Sequence, residues 1–230
     1  TAQVGLVAPT MPLLGFGTQA IDFNLDGDPD LLVANGHIDD FRKSGVPWKM
    51  PIQLFENRQG RGWIVAGVEA GNDLQIPRLG RAVARLDWNR DGRPDAVVVS
   101  QDRPVSLLTN ETATVGRSFS VRLVGVTGNR NGLHARVWVE TADHIQMQEF
   151  CGGDGYFATN EPLLMYGVGA SDRIRRLKIV WPGGHEESWT DLPADQEWIC
   201  REGEPPLKAV RPSGRVQPAE SSELDRFPRM

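Results

Sequence analysis

Apolar positions along the first hundred residues fall in short aliphatic runs, not at helical spacing, and each run is interrupted by an acidic turn. The stretch "IDFNLDGDPDLLV" at 21–33 returns 65 residues later as "LDWNRDGRPDAVV" at 86–98, with six of the nine loop positions identical. Gly15 and Gly80 each precede their loop by seven residues, and "PIQLFEN" at 51–57 answers "PVSLLTN" at 104–110. Each copy therefore predicts an apolar strand, an acidic loop, an aliphatic strand, a polar loop and a short strand ending at Asn57 or Asn110. The first copy carries an extra "GHIDDFRKSGVPWKM" at 36–50. An insertion in one member of a repeat reads either as a recognition loop or as a tolerated surface excursion.

Short strands repeated at this period predict propeller blades. Two blades cannot close a ring, so further blades are expected upstream. From Ser118 the pattern changes: "FSVRLVGV", "HARVWVET", "HIQMQEF", "RIRRLKIVWPGG" and "EWICREG" alternate apolar and polar residues at period two, with turn residues between them. The predicted class is all-β, a partial propeller over 1–117 followed by an antiparallel, sandwich-like domain over 118–203. Residues 204–230, rich in Pro, Ser, Arg and Glu without periodicity, read as a flexible tail.

Composition narrows the function. With 230 residues and 40% hydrophobic content the chain can bury a real core. A net charge of -5 argues against nucleic-acid binding, which needs a positive footprint; the cluster Arg173, Arg175, Arg176 and Lys178 reads as a solvated strand face. No run approaches the roughly 18–20 apolar residues that span a bilayer. Cys151 and Cys200 are either independent thiols or one bridge. His37, His134, His144 and His185 lack metal or triad spacing; His37, at the mouth of the insertion beside Asp39 and Asp40, is the best base among them. Trp138, Trp181, Trp189 and Trp198 fit core packing better than sugar stacking.

The acidic loops carry the most specific chemistry. Side-chain oxygens at relative positions 1, 3, 5 and 9, with Gly at 6 and a carbonyl at 7, are what a seven-coordinate hard cation takes from a tight turn. The expected ligand sets are Asp22, Asn24, Asp26, Asp30 and the Asp28 carbonyl, and Asp87, Asn89, Asp91, Asp95 and the Arg93 carbonyl. Ca²⁺ fits an all-oxygen set, whereas zinc prefers His or Cys. An EF-hand does not fit, because position 12 is Val33 or Val98 where that motif needs Glu, and the flanks are strands. An Asx-rich turn without metal is the competing reading.

With "DFNLDGDPDLLVANGH" and "DWNRDGRPDAVVVS", residues 1–117 resemble FG-GAP/VCBS calcium-binding propeller repeats. With "GNRNGLHARVWV", "GGDGYFATN", "YGVG" and "LKIVWPGGHEESW", residues 118–203 resemble the ASPIC/UnbV domain of cartilage-acidic-protein-like and UnbV-like proteins. Three positions depart from that pattern: His134 stands where Gly is usual, Tyr166 where Phe is common, and Cys151 is unusual. The resemblance implies the last blades of a seven-bladed-type propeller in an extracellular, periplasmic or cell-surface protein, with no defined reaction. Two functions are expected from this: a calcium-binding module that binds an extracellular protein or glycan, or an extracellular or biosynthetic enzyme that uses calcium-bearing loops.

Overall fold

A computed structural model describes residues 4–66, 70–113 and 115–210. Among the described residues the fold is mostly β, with four small sheets, two four-residue helices at Val7–Thr10 and Asn72–Gln75, and a 3-10 turn at Arg42–Ser44. The first sheet has the order β1 (Gly15–Ile21), β2 (Asp30–Asn35), β3 (Gln53–Asn57) and β4 (Trp63–Val65). The second has β5 (Gly80–Leu86), β6 (Asp95–Ser100) and β7 (Arg103–Leu108). Each acidic loop is the turn of the first hairpin in its unit, closed by the pairs Ile21 with Asp30 and Leu86 with Asp95. The internal repeat is thus a structural repeat, including a register irregularity at the glycine start of β1 and of β5.

The two units meet along β1 and β5. A Cβ on Gly17 would lie 2.6 Å from the Val83 nitrogen, and one on Gly36 would lie 2.7 Å from Leu79 Cα, so glycine is what admits this backbone approach. Ile21, Leu32, Ala34 and Ile52 from the first unit share a core with Val83, Ala96 and Val98 from the second. Burying each large aliphatic side chain of this kind is worth about 1.5–3 kcal/mol. Both sheets are open, and no closed sheet occurs among the described residues. The insertion at 36–50 is pinned at its base by the Gly36–Lys49 bridge and by His37 N–H donating to Trp48 O at 2.8 Å. Its tip leaves Ile38 and Phe41 exposed.

The remaining sheets are β10 (Ile145–Glu149), β9 (Arg136–Glu140), β12 (Arg173–Val180), β13 (Glu186–Pro193), and β11 (Leu164–Gly167), β8 (Ser118–Val124), β14 (Gln196–Arg201), β15 (Leu207–Lys208), each in that spatial order. They share one core built on Phe119, Val121, Val137, Val139, Tyr166, Ile174, Leu177, Ile179 and Trp181. Two features differ from the sequence expectations, while the cysteines follow the independent-thiol alternative. β14 pairs with β8 in parallel, not antiparallel: only Ala194 and Asp195 separate β13 from β14, yet the two lie in different sheets, so β14 is no hairpin partner of β13. The segment expected to begin the tail is partly ordered: Leu207 and Lys208 pair with Ile199 and Trp198, while 211–230 lie outside the described residues. The two cysteines are free, Cys151 exposed and Cys200 buried, and do not bridge.

Candidate acidic-loop site

The loops repeat one another bond for bond. In the first, Asp22 accepts from the N–H of Asp26 (3.1 Å) and of Gly27 (3.0 Å), Asn24 Oδ1 accepts from Asp26 N–H (3.2 Å), and Asp26 accepts from Asp28 N–H (2.8 Å). In the second, Asp87 accepts from Asp91 and Gly92 N–H, Asn89 from Asp91 N–H, and Asp91 from Arg93 N–H, at 3.1, 3.0, 3.1 and 2.9 Å. Asp30 accepts from Phe23 and Asn57 N–H, and Asp95 from Trp88 and Asn110 N–H. Position 4 of each loop is left-handed, Leu25 and Arg90 both at φ 58°, and so is the glycine at position 6, Gly27 at 97° and Gly92 at 88°. The turn therefore bends the same way twice, and the predicted oxygen donors of each copy lie on one tight loop.

Electrostatics inside the loops is unfavourable for the chain alone. Burial pushes the Asp22 carboxyl up to about 7 against the opposing pull of Gly27 N–H, with the charge of Asp26 adding to the rise. Burial likewise takes Asp30 and Asp95 to about 7, with neighbouring loop carboxylates pushing in the same direction. Asp30, Asp87 and Asp95 are 0%, 1% and 1% exposed. Among the described residues no three His, Cys, Asp or Glu side chains meet as a preformed metal cluster; Asp22, Asp26, Asp87 and Asp91 are turned onto N–H groups of their own turn, and Asp30 and Asp95 also onto Asn57 and Asn110 N–H. The loops also differ in charge. Arg93 forms an ion pair with Asp91 at 2.6 Å, whereas its counterpart in the first loop is Asp28.

Residues that sequence reasoning did not select complete the arrangement. Asn57 and Asn110 hold Asp30 and Asp95 through main-chain N–H groups, a role invisible in residue type. Outside the loops, Asn110 Nδ2 donates to Phe23 O, Gly116 N–H to Asn24 O and Gly169 N–H to Leu25 O. The second loop is held by Glu161, which accepts from Asp87 N–H at 3.0 Å and pairs with Arg90 at 2.5 Å and Arg122 at 3.0 Å. Burial opposes the Glu161 charge, yet the Asp87 N–H and the two guanidiniums outweigh it and hold this carboxyl below its usual range. Both acidic loops thus touch the C-terminal sheets.

The other candidates fall as follows. His37 stacks edge-on to Phe41 at 5.0 Å, and its Nδ1 accepts from Asp39 N–H; His134 pairs with Glu149. Trp181 and Trp198 are buried and Trp189 packs against the same core, while Trp138 faces outward between Arg136 and Lys178, each 5.6 Å from its ring. Arg173, Arg175 and Arg176 are exposed on β12.

Residues 125–206 match the family model described as ASPIC and UnbV, so the chain carries an ASPIC/UnbV domain over that span. No FG-GAP/VCBS repeat is detected. A search of curated proteins finds no match.

Proposed function

We propose that the two acidic loops are Ca²⁺ sites of a calcium-stabilised binding module that acts outside the cytoplasm, at a cell surface or in a periplasm, on a protein or glycan ligand. The observation that carries this reading is the duplicated turn, which draws Asp22, Asn24, Asp26 and Asp30 onto one tight loop and Asp87, Asn89, Asp91 and Asp95 onto a second of the same hydrogen-bond pattern. The donors suit a hard ion: Asp22, Asn24, Asp26 and Asp30 offer only oxygen, as do Asp87, Asn89, Asp91 and Asp95, with the Asp28 and Arg93 carbonyls at position 7. A bound Ca²⁺ supplies the positive charge that turns their mutual repulsion into coordination. The residues themselves supply the frame, since the N–H groups now held by the carboxylates fix the bend of each turn. On this reading the two units are neighbouring blades of the FG-GAP/VCBS type, with β1 and β5 innermost.

Calcium would act here by stiffening a junction. Each loop lies against the ASPIC/UnbV-containing half, so a loop that is tied down ties that half to the repeats. Affinity of about 10⁻⁴ to 10⁻³ M is enough where calcium is plentiful. Calorimetric titration of the chain with Ca²⁺ should give two sites, and Asp26→Ala should leave one. Identical melting temperatures in calcium and in chelator would overturn the reading.

A further inference from the structure

A cleft of about 340 Å³ lies where the repeats meet the C-terminal sheets, lined by Gln19, Ala20 and Asp22 of the first unit, Arg85 of the second, and Gln146, Gln148, Glu149, Asp154 and Asn160 beyond them. Its volume is in the range of sites that hold small molecules. Three features mark it as built for a ligand.

The first is Arg85. Its guanidinium donates to Ala20 O at 3.2 Å and, among the described residues, enters no ion pair. Burial lowers its pKa, with Asp154 the main opposing charge. The repeat shows that the fold does not need it: the equivalent position of the first unit is Ala20. The second is β10, whose alternation is inverted. Ile145 and Met147 are exposed, at 69% and 50%, while Gln146 and Gln148 line the cleft. Their amide N–H groups donate to Gly167 O and Met165 O, which fixes the side chains at the cleft wall. The third is a preset polar wall. Asn160 donates to Gln19 Oε1 and Asp154, and its Oδ1 accepts from the Arg85 main-chain N–H at 2.7 Å; Gln19 donates to Val83 O and Asp154 O. One planar cation thus shares the cleft with the carboxylates of Asp22, Glu149 and Asp154 and with the amide side chains of Gln146 and Gln148.

We propose that this cleft binds a small carboxylate bearing several hydroxyls, of the size of a hexuronic acid, with its carboxylate on the Arg85 fork and its hydroxyls donating to the surrounding amide and carboxylate oxygens. Arginine binds carboxylates through two parallel N–H bonds, and the acceptors around it match hydroxyl donors and not a second anion. The cleft borders the first acidic loop, which supplies Asp22, Leu25 and Pro29 to its lining.

The test is titration of the full chain with galacturonate, followed by NMR and by thermal melting, in calcium and in chelator separately, with galactose as the neutral control. Saturable binding of galacturonate in either condition, with galactose at least tenfold weaker, supports the site. Arg85→Gln should lose about tenfold or more in affinity, because a charge-assisted bond is removed, and Arg85→Lys should retain part of it. No saturable galacturonate binding in either condition, equal binding of galactose, or undiminished binding by Arg85→Gln would each overturn the proposal. Because the chelator arm does not depend on metal, loss of the calcium reading leaves this outcome decidable.

Discussion

His134 sits at φ 69° with its side chain exposed and 3.0 Å from Glu149. That left-handed backbone costs a non-glycine residue strain, which glycine would avoid. His134→Gly should therefore stabilise the chain by up to about 1 kcal/mol, or raise its melting temperature by about 2–4 °C, measured by calorimetry. Tyr166, 1% exposed, donates its hydroxyl to Val137 O at 3.1 Å, so the extra oxygen relative to phenylalanine is satisfied; Tyr166→Phe should cost about 1 kcal/mol. Burial takes the Cys200 thiol up to about 12, so a thiol reagent at neutral pH should modify Cys151 alone in the folded chain, and both cysteines after denaturation, read by mass spectrometry. At this scale the sequence was most legible where chemistry resides in side chains. Asp22 to Asp30 and Asp87 to Asp95 announce their loops by spacing. Asn57 and Asn110 do not, because they act there through a main-chain N–H that any residue except proline could offer.

Strand positions were legible where one face alone is buried. "RVWVE" gives β9 with Val137 and Val139 inward, as period two predicts. The same period in "IQMQE" marks β10 but conceals which side faces in, because alternation is symmetric and the cleft, not a core, lies behind Gln146 and Gln148. β11 gave no alternation at all, since Leu164, Met165, Tyr166 and Gly167 are all buried. Between the two loops the instructive difference is position 7. Arg93 neutralises Asp91, whereas Asp28 adds a further carboxylate to the first loop. If both turns bind calcium, the first should bind more tightly. A unit charge at about 4 Å in water-like surroundings is worth about 1 kcal/mol, or fivefold in affinity. Arg93→Asp in an Asp26→Ala background, where only the second loop remains competent, should accordingly tighten calcium binding by about fivefold or more in calorimetric titration, and the gain should shrink in high salt.

For the molecule as a whole, the acidic loops are also joints. The carbonyls of Phe23, Asn24 and Leu25 are each taken by a donor from elsewhere in the chain, Asn110, Gly116 and Gly169, and Asp87 N–H and Arg90 are both held by Glu161. Repeat periodicity cannot foretell such docking, which depends on surfaces brought together from residues more than 70 apart in sequence. Gly167 shows how close the contact is: a Cβ there would lie 2.0 Å from Asp22 Oδ2 and 2.6 Å from Leu25 Cα. Since real side-chain carbons do not approach so near, Gly167→Ala must push the first loop or β11 aside, at a cost of about 1–3 kcal/mol. The two loops then separate the causes. A purely local packing fault in the C-terminal sheets would lower the melting temperature equally with and without calcium. A joint predicts instead that Gly167→Ala weakens the first calcium site, leaves the second at parental affinity, and lowers stability more in calcium than in chelator. Glu161→Gln should do the reverse, loosening the second loop through Arg90 and Asp87 while sparing the first. Titrating both variants beside the parent distinguishes these outcomes, and unchanged affinity at both sites in both variants would break the link between loop and domain.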